Sequence, residues 1–122
     1  MASQMKEVYF LHDKDENLYK IGNRGCEGAG NKQRFLTARS LERNGYVTDI
    51  VALGCSKQMA SRDAETLERQ LHAKYAAKRF DYPALTLTAR CGKVSTRRPN
   101  GYKEWFALSE AEANEVLDTL AS

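Results

Sequence analysis

The stretch that decides the fold spans residues 7–22 and reads EVYFLHDKDENLYKIG. Apart from Glu7, its first five residues are β-branched, aromatic or aliphatic, and a similar run around Lys20 closes it. A polar run over residues 12–17 separates the two. Short runs of this kind on either side of a polar break predict two strands joined as a β-hairpin.

Helices and further strands follow the hairpin. Asn31 is a predicted N-cap. The last helix begins at Ser109 with a capping box to Glu112. The other predicted elements are a helix over residues 31–41 closed by Asn44-Gly45, a strand over 47–53, a helix over 61–77, a strand over 85–88, an extended segment over 102–108, and an apolar stripe of Ala113, Val116, Leu117 and Leu120 on the last helix. This order predicts an α+β fold: a small, mainly antiparallel three-stranded central sheet flanked by helices.

Composition indicates one compact domain over residues 1–122. The chain has 122 residues and 42% hydrophobic content, enough for a single modest core. No apolar run approaches the roughly 20 residues that a membrane-spanning helix needs. The first residues lack a hydrophobic signal segment, so we expect a cytoplasmic protein. Three scattered cysteines indicate free thiols rather than disulfides or a zinc site.

The net charge is +3, but the charged residues are unevenly distributed along the sequence. Eight bases and one acid, Asp81, lie between Lys74 and Lys103, and from Glu104 onward there are five acids and no bases. Clustered Lys and Arg suit a phosphate backbone, because each contact releases condensed counterions. A solvated loop accounts for the charge equally well.

Two charged residues lie on helix faces that otherwise belong to the core. Glu68 is four residues after Ala64 and three before Leu71, so it projects from the edge of an apolar stripe. Arg34 shares a face with Leu41 in the same way. A carboxylate is costly to desolvate without a partner. A metal ion would supply that partner, and so would a structural ion pair with Arg34, which is the alternative to a catalytic role for these two residues.

Three further residues have an ordinary structural interpretation beside a functional one. Tyr9 in a strand is by default a core aromatic residue, and Lys20 is by default a solvated strand position. Tyr19 lies on the other face of its strand and is expected in the core. His72 is by default a lone surface histidine, but it lies four residues after Glu68, so the two side chains can also approach each other on one helix flank.

Taken together, these residues resemble the GIY-YIG nuclease superfamily, in its branch of phage-type and fungal-type small proteins whose second motif is Tyr-Lys-Ile-Gly. Val8-Tyr9 stands at the first motif, with Glu7 in place of its glycine, and Lys20-Ile21-Gly22 stands at the second. Arg34 matches the family arginine, and Glu68 matches the metal-binding glutamate. Glu104-Trp105-Phe106 resembles the strand that closes the domain. The signature covers about residues 7–108, and the C-terminal helix over 109–120 caps it.

This resemblance implies a metal-dependent endonuclease or nickase that hydrolyses DNA phosphodiesters. Glu68 would hold one Mg²⁺ or Mn²⁺ ion, and Arg34 would grip phosphate oxygens. Tyr9 would orient the attacking water. Lys20 would act as a nearby cation or contact the phosphate. The histidine that many members carry one turn after the arginine is Ala38 here, so His72 is the candidate substitute.

The expected partner is DNA, with RNA as an alternative. Four bases in the later part of the basic segment are the predicted nucleic-acid contacts: Lys93, Arg97, Arg98 and Lys103. A homodimer and a protein partner stay open. Two other function classes also stay open: a catalytically degenerate nucleic-acid-binding module, and a protein-interaction or inhibitor factor that uses the acidic last helix.

Overall fold

The computed structural model describes residues 5–25, 31–43, 48–82, 85–88, 91–97 and 103–122, without the side chains of residues 31–35, 85–88 and 95–97. The helices in this part of the chain are α1 (Asn31–Arg43), α2 (Ser61–Lys74) and α3 (Glu110–Ala121). The strands are β1 (Met5–Asp13), β2 (Leu18–Gly25), β3 (Ile50–Cys55), β4 (Met59–Ala60), β5 (Leu85–Thr88), β6 (Val94–Arg97) and β7 (Trp105–Phe106). The predicted α+β class with an antiparallel sheet is confirmed.

The predicted hairpin is present. β1 and β2 pair antiparallel from Lys6 opposite Gly25 to Asp13 opposite Leu18. β1 extends past the apolar run to Asp13. The Asp13 side chain is fully buried. The Asp13 carboxylate accepts hydrogen bonds from the Tyr82 hydroxyl at 3.0 Å and the Asp15 amide at 3.1 Å. These partners offset the cost of removing a carboxylate from water.

The main sheet has the order β3-β1-β2-β7, and β4 pairs with the start of β1. Successive side chains of a strand project to opposite faces, so the sheet divides the core into two clusters. The cluster on the α2 and α3 side includes Val8, Phe10, Tyr19, Ile21, Ala64, Leu71, Val116 and Leu120. The cluster on the α1 side includes Tyr9, Leu11, Leu18, Leu41, Ile50, Tyr82 and Trp105. Tyr19 therefore has the predicted core role.

The last helix has the predicted capping box. The Ser109 hydroxyl accepts from the Glu112 amide at 3.1 Å, and the Glu112 carboxylate accepts from the Ser109 amide at 2.9 Å. Ala113, Val116 and Leu120 are buried and Leu117 is partly buried, so the predicted stripe packs against the sheet. The helix is a capped, packed element with a charged outer face.

Several boundaries differ from the prediction. β3 covers residues 50–55 rather than 47–53, and the predicted helix end at Asn44-Gly45 lies outside the described residues. α2 ends at Lys74 and continues only as a 3-10 turn over Ala76–Lys78. The two-residue strands β4 and β7 enlarge the predicted three-stranded sheet. The sequence does not predict them as strands, because two residues are too few to show an alternating pattern.

No helix within the described ranges is long and apolar enough to cross a membrane.

Candidate functional site at the edge of strand β2

Glu68 projects from the edge of the buried stripe of α2, as its spacing predicts. Ala64 and Leu71 on that stripe are buried, whereas the Glu68 side chain is 13% exposed. The Asn23 side-chain amide on β2 donates a hydrogen bond from Nδ2 to Glu68 Oε2. The carboxylate is therefore held against the sheet at a position that solvent still reaches.

His72 lies one turn after Glu68 and is anchored to β2. Its Nε2 lies 2.8 Å from the Ile21 carbonyl oxygen, which only accepts hydrogen bonds, so this nitrogen carries the ring proton and donates it. The same atom is 3.6 Å from Glu68 Oε1. The imidazole also packs on the Phe106 ring, with centroids 5.1 Å apart. His72 is therefore a braced neighbour of Glu68 rather than a lone surface histidine.

Lys20 is 4% exposed, which excludes a solvated strand position. Its ammonium group donates to Thr37 Oγ1 of α1 at 3.3 Å and lies 3.7 Å from Glu104 Oε2. Burial lowers the pKa of the Lys20 ammonium, and the charges of Glu104 and Glu68 act against that shift. Lys20 is thus a desolvated cation within electrostatic reach of Glu68.

Glu104 is a charged neighbour that the sequence did not single out for the site. Its backbone oxygen accepts from the Ile21 amide at 3.1 Å, which places it at the outer edge of β2. Burial raises the pKa of its carboxyl group, Lys20 opposes the shift, and the like charge of Glu68 adds to it. The sequence contains an indication of this contact, because a lysine in an otherwise apolar strand is expected to pair with a nearby carboxylate.

Tyr9 lies beside Lys20, and both side chains are on the sheet face opposite α2. It is 4% exposed and packs directly over Gly22. Lys20 Nζ and the Arg24 guanidinium carbon each lie 5.6 Å from the centre of its ring, within the range of cation–π contacts. Arg24 is itself paired with Glu7, with Nη2 and Oε1 2.8 Å apart. The phenol ring therefore contacts two cations, and Arg24 was not expected among them.

Arg34 is described only by its backbone, which lies in the first turn of α1. Its side chain lies outside the described part of the chain. An ion pair with Glu68 and a role in phosphate binding therefore both stay predictions. Among the described side chains, those of Asn23 and His72 contact the Glu68 carboxylate.

The structure describes only some of the residues that are predicted to contact nucleic acid. Lys93 and Lys103 are exposed. Arg97 ends β6, which pairs with β5 in a separate two-stranded sheet, and its side chain is outside the description. Arg98 is outside the described ranges altogether.

Three bases earlier in the basic segment are engaged in ion pairs. Lys74 Nζ lies 3.5 Å from Glu115 Oε2, Lys78 Nζ lies 3.8 Å from Glu112 Oε1, and Arg79 Nε lies 3.0 Å from Asp81 Oδ1. Exposed pairs of this kind contribute little to stability, but they reduce the local positive charge.

A cleft of about 280 Å³ opens along α2 and is lined by Glu65, Glu68, Arg69 and His72. Among the described residues, no group of three or more His, Cys, Asp or Glu side chains is placed to hold a metal ion. A carboxylate facing such a cleft nevertheless fits Mg²⁺. This ion commonly takes one or two protein carboxylates and completes its shell with water and substrate phosphate.

The fold and site define a small α+β domain with an oriented carboxylate and a buried lysine at one sheet edge. The chain belongs to the T5orf172 domain family, whose profile matches residues 7–121. This domain is found in phage-type proteins and in some GIY-YIG-related endonuclease-like proteins, and it is associated with nuclease-like functions and nucleic-acid interaction. No curated protein and no solved structure matches the chain.

Proposed function

We propose that the protein is a metal-dependent endonuclease or nickase of the GIY-YIG type, which hydrolyses phosphodiester bonds of DNA. Membership of the family supports a nuclease-like or DNA-binding role. The observation that carries the catalytic part is the Glu68 carboxylate, which is partly buried at the cleft and oriented by Asn23. Desolvating a carboxylate costs free energy, and a cation bound in the cleft would offset that cost.

Glu68 would hold Mg²⁺ or Mn²⁺, because both ions prefer oxygen ligands. When bound, the ion supplies Lewis-acid polarisation of the phosphate and charge stabilisation for the departing 3′ oxygen. His72 would limit the movement of Glu68 through its contact with the carboxylate and its anchor on Ile21. This bracing keeps the ligand oxygen at a constant place while substrate enters.

The remaining charge stabilisation would come from cations of the chain. Lys20 is buried and already engaged with Thr37 and Glu104, so it would act as a nearby cation whose charge is weakly screened rather than through direct contact with a phosphoryl oxygen. Arg34 would add the planar donors that match two phosphate oxygens. Tyr9 would orient the attacking water from the sheet face opposite α2, where Lys20 and Arg24 lie against its ring.

A catalytically degenerate nucleic-acid-binding module is the second candidate, and the burial of Tyr9 favours it. A phenol that is 4% exposed offers little surface to an attacking water. An interaction or inhibitor factor acting through α3 is less favoured, because Glu112 and Glu115 are engaged with Lys78 and Lys74.

Incubation with supercoiled plasmid distinguishes these candidates. With Mg²⁺ we expect relaxed or linear product to accumulate, and with a chelator in place of the metal we expect none. Binding measured by gel shift, without cleavage at any concentration of Mg²⁺ or Mn²⁺, would identify the binding module. If the protein shows no cleavage and no binding, the result contradicts both candidates.

Replacing both Arg97 and Arg98 by alanine should weaken DNA binding and flatten its dependence on salt. Each lost phosphate contact lowers the slope of log affinity against log salt by about 0.9, so the pair predicts a change of about 2. Fluorescence anisotropy across a salt series measures this slope.

The matched control for that experiment is the double variant Lys74→Ala/Lys78→Ala. It removes the same formal charge from the same segment, but both lysines are paired with α3. A slope that changes equally in the two variants would show a general effect of charge and would overturn the specific assignment.

DNA is the proposed partner, and RNA stays an alternative substrate. A homodimer would bring two sites together and convert nicking into double-strand cutting. That assembly, a protein partner and a cytoplasmic location all stay predictions.

A further inference from the structure

Asn23 follows Gly22 at the point where β2 loses its outer neighbour. β7 pairs only with Tyr19 and Lys20, so within the described strands the outer edge of β2 is open at Asn23. Strand alternation puts Asn23 on the same face as Ile21, which is the face that α2 covers. The side chain is partly buried. Asn23 therefore faces the helix that carries Glu68.

The contact between Asn23 and Glu68 is direct. The amide Nδ2 donates to Glu68 Oε2, and the other carboxylate oxygen, Oε1, faces His72 Nε2 at 3.6 Å. An ionised carboxylate only accepts hydrogen bonds, so the amide must present its nitrogen rather than its oxygen. The glutamate side chain has three rotatable bonds, and this contact restricts them.

We propose that Asn23 is a positioning residue that holds the Glu68 carboxylate in the orientation that binds a divalent cation. The inference rests on the proposed function, because it takes Glu68 as the metal ligand. Partners of this kind are known to tune metal sites, since they orient the ligand oxygen before the ion arrives.

The chemistry of an amide suits this role better than that of a cation. A lysine or arginine at position 23 would neutralise the carboxylate and compete with the metal ion for it. An amide donates one hydrogen bond and leaves the full negative charge in place. A carboxylate accepts about four hydrogen bonds or ligand contacts, so lone pairs remain for a metal ion after Asn23 has used one.

The test measures Mn²⁺ binding to the purified full chain, by electron paramagnetic resonance of the free ion, without DNA. The variants are Asn23→Ala, Glu68→Ala and, as the matched control, Asn114→Ala on the exposed side of α3. We expect Asn23→Ala to raise the dissociation constant for Mn²⁺ about tenfold or more, while Asn114→Ala leaves it unchanged. Glu68→Ala should remove binding at the site.

Thermal unfolding in chelator separates positioning from simple stability. The positioning role predicts that Asn23→Ala unfolds within a few degrees of the wild-type protein, because the site is at an accessible sheet edge. Asn23→Ser shortens the side chain but keeps a polar atom, and it tests the same loss of affinity if the alanine variant folds poorly.

Two results would overturn the inference in distinguishable ways. If Glu68→Ala loses Mn²⁺ binding and Asn23→Ala and Asn23→Ser do not weaken it, Asn23 has no positioning role and the proposed metal site stands. If Glu68→Ala binds Mn²⁺ as tightly as the wild-type protein, the metal site itself fails and the inference fails with it.

Discussion

The Glu68→Ala variant is expected to lose metal-dependent cleavage of supercoiled plasmid by about 10³-fold or more while keeping its fold. The reason is that alanine removes the only carboxylate assigned to the metal ion. A catalytic metal ion typically contributes several kcal/mol to the transition state, and each 1.4 kcal/mol corresponds to about tenfold in rate. Because the Glu68 side chain is 13% exposed, water can replace its contact with Asn23, so the folded state should change little.

The measurement is the initial rate of plasmid relaxation at saturating Mg²⁺, with circular dichroism to verify the fold. Glu42→Ala is the matched control, because Glu42 is an exposed glutamate near the end of α1. It should cleave at the wild-type rate. Undiminished cutting by Glu68→Ala would remove Glu68 from the mechanism, whatever the behaviour of the control.

The Gly22→Ala variant is expected to be destabilised and to lose most of its activity. A methyl group at position 22 would lie 2.5 Å from Tyr9 Cζ and closer still to the phenol oxygen. The Tyr9 ring cannot turn aside easily, because it is buried in the cluster that includes Leu11 and Leu41. Overpacking of this kind costs about 1–3 kcal/mol, and here it also displaces a proposed catalytic group.

Thermal unfolding and plasmid cleavage together test this expectation. Gly25→Ala is the matched control. Gly25 is in the same strand as Gly22, and a methyl group at Gly25 would have no other atom within 4 Å. We expect a melting temperature several degrees lower for Gly22→Ala than for Gly25→Ala. Equal melting temperatures would show that Tyr9 is not held against Gly22.

The local patterns in the sequence determined several features that the structure confirms. The hairpin follows from two apolar runs separated by polar residues, and the capping box at Ser109 follows from residues three positions apart. The placement of Glu68 at the edge of a buried stripe follows from helical periodicity. These features are predictable because strand alternation, helix period and capping each depend on neighbours within about four residues.

The strand and helix ends were less predictable. β1 includes Asp13 because the Tyr82 hydroxyl and backbone amides satisfy its carboxylate, and no local pattern announces a hydrogen bond between residues 69 positions apart. β7 has only two residues and depends on its pairing with Tyr19 and Lys20. Such elements exist because of their neighbours in space.

The sequence by itself determined the candidates for the chemistry, since Tyr9, Lys20 and Glu68 are recognisable from their motifs and their faces. Only the tertiary structure decided which of them meet. It placed Tyr9 and Glu68 on opposite faces of the sheet, brought Glu104 to Lys20, and joined Asn23 to Glu68 across 45 positions of sequence. The physical reason is that periodicity reports which side of an element a residue occupies, whereas the path of the chain determines what lies on that side.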